Sequence, residues 1–270
     1  MSTGSIETIQ AEQENHLSPT AATSLPNAGA GSDANANANA AANANADAQQ
    51  AKQEEAKPVI TYLLLIRHGE NDWVSSHRLA GRTPSVFLND KGKQQSADLA
   101  TFLAAQPISA IYSSPLERCL QTAQPLADVK QLAVSAEPGL IEVEYGEWRG
   151  GDLRELSKLP EWRLVQHYPS SFRFPGGETL YEVQSRAVST LEQIRSRHAG
   201  GVVAAFSHGD VIRLSVAHFM GVPLDLFQRV QISTASVSII VFHNAIPSVM
   251  GVNYLTALPV LEIATKKSKE

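Results

Sequence analysis

The chain has 270 residues, 22 Lys and Arg against 27 Asp and Glu for a formal net charge of −5, 43% hydrophobic residues and one cysteine. A single cysteine excludes a disulfide framework and any cysteine-rich zinc or iron–sulfur site, and no apolar run approaches the roughly 18 residues that a membrane helix requires. The net acidity argues against a nucleic-acid partner, yet it is uneven: residues 1–57 hold seven carboxylates and two lysines, which leaves residues 58–270 balanced at 20 groups of each sign.

From Ala21 to Lys57 the chain is mostly Ala, Asn, Gln, Gly and Ser, with an Ala-Asn alternation between Asp33 and Asp47. So little apolar surface cannot offset a backbone ordering entropy of roughly 1–2 kcal/mol per residue. Residues 1–57 are therefore expected to be a disordered low-complexity tail, and 58–270 one folded domain. The start has no basic stretch followed by an apolar one, so no signal or transit peptide is read, and the expected location is cytoplasmic.

The run Pro58–Ile66 is apolar and rich in β-formers, as in a strand buried on both faces, and it ends in Arg67-His68-Gly69-Glu70. Helical spacing follows over Lys91–Ala105, then a short strand Ser109–Ser113 and a second helix from Pro115. The longest helix is expected over Glu178–His198, where Leu180, Val183, Ala187, Leu191 and Ile194 recur three or four apart before Gly200-Gly201. After it come a strand Val202–Phe206, a helix over Val211–Met220, a β-rich stretch Ala235–His243, a turn Asn244–Ser248 and a last strand near Val252–Ala257. Helices alternating with continuous apolar strands predict an α/β domain of three layers, α/β/α, around a mostly parallel central sheet.

In such a fold, sites form at the carboxyl ends of strands. Two predicted strands end in a histidine-glycine step, Arg67-His68-Gly69 and Ser207-His208-Gly209. Arg118, just past the strand that ends at Ser113, adds a second guanidinium beside a helix N-terminus, where backbone N–H groups favour an anion. Two histidines and two forked guanidinium groups describe a pocket for phosphate oxygens. A neutral imidazole there can attack phosphorus, and a carboxyl whose pKa is raised by burial and like charge can protonate the departing alkoxide. By spacing alone Glu70, Glu142, Glu144 and Glu147 all qualify as that acid.

The motifs Arg67-His68-Gly69-Glu70, Ser114-Pro-Leu-Glu-Arg118-Cys-Leu-Gln-Thr-Ala123, Leu140-Ile-Glu142-Val-Glu-Tyr-Gly146-Glu-Trp148, Gly176-Gly-Glu178 and Ser207-His208-Gly209 occur in one order. Together they resemble the histidine phosphatase superfamily, its phosphoglycerate mutase-like branch, from about Val59 onward. The resemblance implies a central six-stranded mixed sheet and a phosphohistidine intermediate formed without metal or other cofactor. It makes His68 the nucleophile, Glu142 the proton donor, and Arg67, Arg118 and His208 the phosphate-binding partners. Gly209 joins them at the helix start. The family's usual Asn three residues after Asn71 is Val74 here, so Asn71 is expected to supply a substitute donor to phosphate.

The long basic insertion of glycolytic mutases after the donor glutamate is missing, which favours hydrolysis of a small phosphorylated metabolite. Mutase-type phosphoryl transfer and a non-catalytic phospho-ligand-binding module are the alternatives. Metal-dependent hydrolysis lacks a His-Glu-x-x-His helix or clustered aspartates. Cys119 reads as a packed helix thiol, Glu178 as a helix-start residue within reach of the site, and Asp210 as a helix cap or first-turn residue. Residues 149–175, with Arg149, Arg154, Arg163, Arg173, Trp162, Tyr168, Phe172 and Phe174, are expected to form the lid that selects an anionic or partly aromatic substrate.

Overall fold

The computed structural model of the chain describes residues 59–256. The expected tail, 1–57, lies outside the described residues, as does the stretch 257–270. Six strands, β1 (Ile60–Arg67), β2 (Ile108–Ser113), β3 (Val134–Ala136), β4 (Val202–Ser207), β5 (Val237–His243) and β6 (Ile246–Tyr254), form one sheet in the order β3-β2-β4-β1-β5-β6. β3, β2, β4 and β1 run parallel, and β5 and β6 close one side antiparallel. The sheet is thus mostly parallel and mixed.

Seven α-helices lie along the described chain: α1 (Asp72–Ser75), α2 (Asp90–Leu103), α3 (Glu117–Lys130), α4 (Leu153–Leu156), α5 (Trp162–His167), α6 (Leu180–Arg197) and α7 (Gly209–Phe219). Alternating side chains of a strand point to opposite faces, and β1 uses both. Leu64 and Ile66 pack with Leu99, Leu103, Cys119, Ala123 and Leu126 of α2 and α3, whereas Leu63 and Leu65 pack with Leu191, Ile194, Ile212 and Val216 of α6 and α7. This is the three-layer arrangement, with β1 between two apolar layers. Each such side chain taken from water contributes about 1.5–3 kcal/mol, so the central strand is held firmly where its last residue turns into the site.

Several boundaries differ from the sequence reading. The helix expected from Pro115 starts at Glu117, because Ser114 N–H still donates to Phe206 O at 2.8 Å and keeps the chain in the sheet past the end of β2. α6 starts at Leu180, with Thr179 and Glu182 forming a reciprocal capping box. The segment Asn244–Ser248 is a turn only at Asn244-Ala245. Pro247 and Ser248 already pair with Phe242 and Val241 in β6, an edge strand where a missing N–H costs little. β3, α1, α4 and α5 have no counterpart in the sequence reading.

Candidate active site

Parallel pairing brings the carboxyl ends of β1, β2 and β4 to one edge of the sheet, with Arg67 opposite Ser207 and Ser113 opposite Phe206. His68 N–H continues the ladder to Ser207 O at 3.0 Å, so the residues after each strand, His68 and His208, become neighbours with ring centroids 5.4 Å apart. Beyond His68 the chain bends around α2. A Cβ on Gly69 would sit 2.7 Å from Gly92 O, so this glycine admits another backbone rather than a ligand. Thr122 of α3 fixes the bend, since its Oγ1 accepts Gly69 N–H at 2.9 Å while donating to Arg118 O.

The His68 ring is 3% exposed, and its Nδ1 lies 2.7 Å from Gly69 O. A carbonyl only accepts, so Nδ1 carries the proton and Nε2 keeps its lone pair. Burial, reinforced by the Arg118 and Arg67 guanidinium groups, holds the ring's pKa well below 6.5, and it is neutral near pH 7. His68 is therefore built as a neutral nucleophile with one nitrogen free.

Of the cations around it, Arg118 is buried and Arg67 half-buried. Arg118, 1% exposed, donates through Nη2 to Gly81 O at 2.7 Å and to His208 Nδ1 at 3.1 Å, and its Nε and Nη1 have no protein partner. Arg67 donates Nη1 to Ile232 O at 2.7 Å and leaves Nε unpartnered. Asn71 caps α1, its Oδ1 accepting from Trp73 and Val74 N–H, while its buried Nδ2 has no protein partner. A buried donor left unpaired costs about 1–3 kcal/mol, and four such atoms on three neighbouring residues mark a place built for acceptor oxygens. Arg67, Asn71 and Arg118 line one cavity of about 290 Å3 together with His68, Glu142 and Gly209. Gly209 opens α7 there, and a Cβ on it would press on the Arg67 guanidinium at 3.3 Å.

His208 stands behind this surface, 0% exposed. Its Nδ1 accepts from Arg118, so Nε2 carries the proton and donates to Ser114 Oγ at 2.8 Å; burial and Arg118 keep the ring neutral. Cys119 Sγ lies 3.5 Å from the same Nε2, and burial pushes the thiol up to about 12, so it is an inert packed group.

Of the four carboxylates that spacing allows, only Glu142 lines the cavity. Glu70 pairs with Lys91 at 2.7 Å, and Glu144 faces Gly146 N–H and Arg149. Glu142 is 9% exposed, with Oε1 accepting Val143 N–H at 2.9 Å and Oε2 3.7 Å from His208 Nδ1. Burial, with the Asp210 carboxylate adding to it, raises its pKa to about 7 against the pull of Arg118. Its backbone is clamped from below, where Arg82 and Arg186 both donate to Glu142 O, at 2.8 and 3.1 Å, and Glu178 accepts from both arginines. Glu178 thus holds the loop instead of lining the cavity.

Other lining residues have no counterpart in the motif reading. Asp210 occupies the first turn of α7, as expected, and also faces the cavity, accepting Tyr145 Oη–H at 2.7 Å and Arg213 Nη1–H at 2.8 Å. Spacing held a signal for this pair, since positions three apart on a helix that opens at Gly209 share a face. His77 and Arg78 stand at the mouth, exposed. Arg149, Arg154, Arg163 and Arg173 do not line it, and Arg173 pairs with Glu182 at 2.6 Å. Among the described residues no three His, Cys, Asp or Glu side chains gather as metal ligands, and no helix is long and apolar enough to cross a membrane.

The chain is similar in sequence and in fold to known proteins. Phosphoserine phosphatase 1 of Hydrogenobacter thermophilus is 36% identical over 180 residues, covering 66% of this chain and 85% of its own. Phosphoglycerate mutase-like protein 4 of Arabidopsis thaliana is 34% identical over 156 residues, 56% of this chain and 67% of its own. Among solved structures, Bacillus stearothermophilus YhfR superposes with a TM-score of 0.66 at 29% identity, covering 71% of this chain and 96% of its own. Residues 63–254 match the profile of the histidine phosphatase superfamily (branch 1), and the chain belongs to that family.

Proposed function

We propose that the chain is a phosphomonoester hydrolase that works through phospho-His68, without metal, on a small phosphorylated metabolite. The observation that carries the reading is the His68 ring, neutral and fixed by Gly69 O as the tautomer with Nε2 unprotonated, beside four unpartnered buried donors. The donors of Arg67, Arg118 and Asn71, with the N–H groups at Gly209, take the nonbridging oxygens. His208 backs them by holding Arg118. As Nε2 bonds to phosphorus the ester P–O bond breaks, and the leaving alkoxide takes the proton of Glu142, which its raised pKa keeps available near neutral pH. Glu142 then removes a proton from water, whose oxygen displaces His68 and releases inorganic phosphate.

Enzyme quenched during turnover should carry an acid-labile, alkali-stable phosphoryl group, and His68→Ala should lose both label and activity. Full, chelator-sensitive activity in His68→Ala would overturn the mechanism. A panel of phosphomonoesters including 3-phosphoglycerate, with and without a bisphosphate primer, separates free phosphate from isomer and so hydrolase from mutase.

A further inference from the structure

Beside the phosphate cavity lies a second cavity of about 320 Å3, and the two share Leu79, Tyr145, Leu153, Asp210 and Arg213 as walls. Its remaining surface is aromatic and aliphatic, provided chiefly by Trp148, Trp162, Val165, Phe174 and Phe227. Trp148 and Trp162 stack at 6.1 Å between ring centroids, and Trp148 also packs edge-on to Phe174 at 5.5 Å. Its size alone reaches the lower end of the roughly 300–1,000 Å3 of small-molecule sites.

The charges in this annex are already spent. Asp210 and Arg213 neutralise each other at 2.8 Å, Arg213 also donates Nε to Val230 O, and Asp210 takes Tyr145 Oη–H. No other cation lines it, and the polar groups left are the amides Gln166 and Gln228. A leaving group bearing a carboxylate would pass Asp210 and then find no positive partner in the annex. An uncharged apolar leaving group would bury against the two tryptophans instead.

Resting on the hydrolase reading above, we infer that the annex seats the leaving group and that the substrates are phosphomonoesters of bulky apolar alcohols, alkyl or aryl, in preference to compact acidic ones such as phosphoserine. The aromatic part of the expected specificity follows, and the anionic part does not. Trp162 and Phe174 are the aromatic residues of 149–175 that build it, beside Leu153, Val165 and Gln166, while Tyr168 and Phe172 do not line it.

The test is a series of n-alkyl phosphates, ethyl to hexyl, with phosphoserine. Alkoxide leaving groups of this series have similar basicity, so a trend in kcat/KM reads binding of the chain rather than protonation by Glu142. The expected rise from ethyl to hexyl is about tenfold or more, with phosphoserine below hexyl phosphate. Trp162→Ala should flatten the hexyl-to-ethyl ratio. Gln166→Lys, which removes no packed ring, should invert the order by giving a carboxylate a partner. A flat series with turnover, or phosphoserine preferred by the unaltered enzyme, refutes the annex while leaving the hydrolase reading intact. No phosphate released from any ester overturns both.

Discussion

Glu142 is held protonated by its surroundings, and Glu142→Gln should expose what that costs. Its folded pKa of about 7 lies above the ordinary 4.5, so the fold favours the neutral acid. That contribution is complete below pH 4.5 and is lost as pH rises through 7. With a tenfold change in protonation equilibrium worth about 1.4 kcal/mol, the burden at pH 8.5 is at most about 3.5 kcal/mol. At 9% exposure, solvent screening takes little of it. Glutamine keeps an oxygen for Val143 N–H and cannot ionise. Urea or thermal unfolding at pH 4.5 and 8.5 should give near-equal stabilities for the two proteins in acid and a variant more stable by about 1–3 kcal/mol in alkali, roughly 2–10 °C in Tm for a domain of this size. An unchanged difference between the two proteins across that range would refute the account of the buried acid. In kinetics the same variant should slow alkyl phosphates strongly and aryl phosphates little, and wild-type kcat on alkyl phosphates should fall as pH rises above about 7.

Gly209→Ala pushes a methyl against Arg67 at the first position of α7, so kcat/KM should fall about tenfold with little change in Tm. Asn71→Asp keeps the cap on α1 but replaces the unpartnered Nδ2 with a carboxylate oxygen. Its KM should rise by about tenfold or more, consistent with a charge-assisted bond of about 1.5–3 kcal/mol, whereas wild-type kinetics would remove Asn71 from phosphate binding. Arg186→Met should mimic Glu142→Gln, lowering kcat on alkyl phosphates about tenfold while aryl phosphates are spared. Equal loss on both would make Arg186 merely structural.

What the sequence disclosed were features written locally. The strand ends at Arg67-His68-Gly69 and Ser207-His208-Gly209 are short strings whose period changes within a few residues, and the parallel sheet puts them side by side. The Glu142 clamp was not legible. Arg82 and Arg186 look like ordinary surface arginines in their own segments, and only the fold carries both to one carbonyl oxygen. The annex was half legible for the same reason: the sequence places Trp162 and Phe174 in the expected lid, but their packing with Phe227, far along the chain, depends on the fold. β3 escaped because three residues with two exposed, Ser135 and Ala136, carry no alternation to read. Pro247 suggested a turn, and the edge position that excuses it is a property of the whole sheet.

The adjacency of β1 and β4 also governs when this protein becomes an enzyme. The strands are partners in space but far apart in the chain, with α2, β2, α3, β3 and α6 between them, so the loop that their pairing closes is among the longest in the fold. Closing it costs entropy before any of the pairing is repaid, and such non-local parallel contacts form slowly. A nascent chain carrying β1, α2, β2 and α3 can bury Ile66 and Leu64 against its own helices and still lack His208. Helical signal should recover early in refolding from denaturant, and phosphate release late.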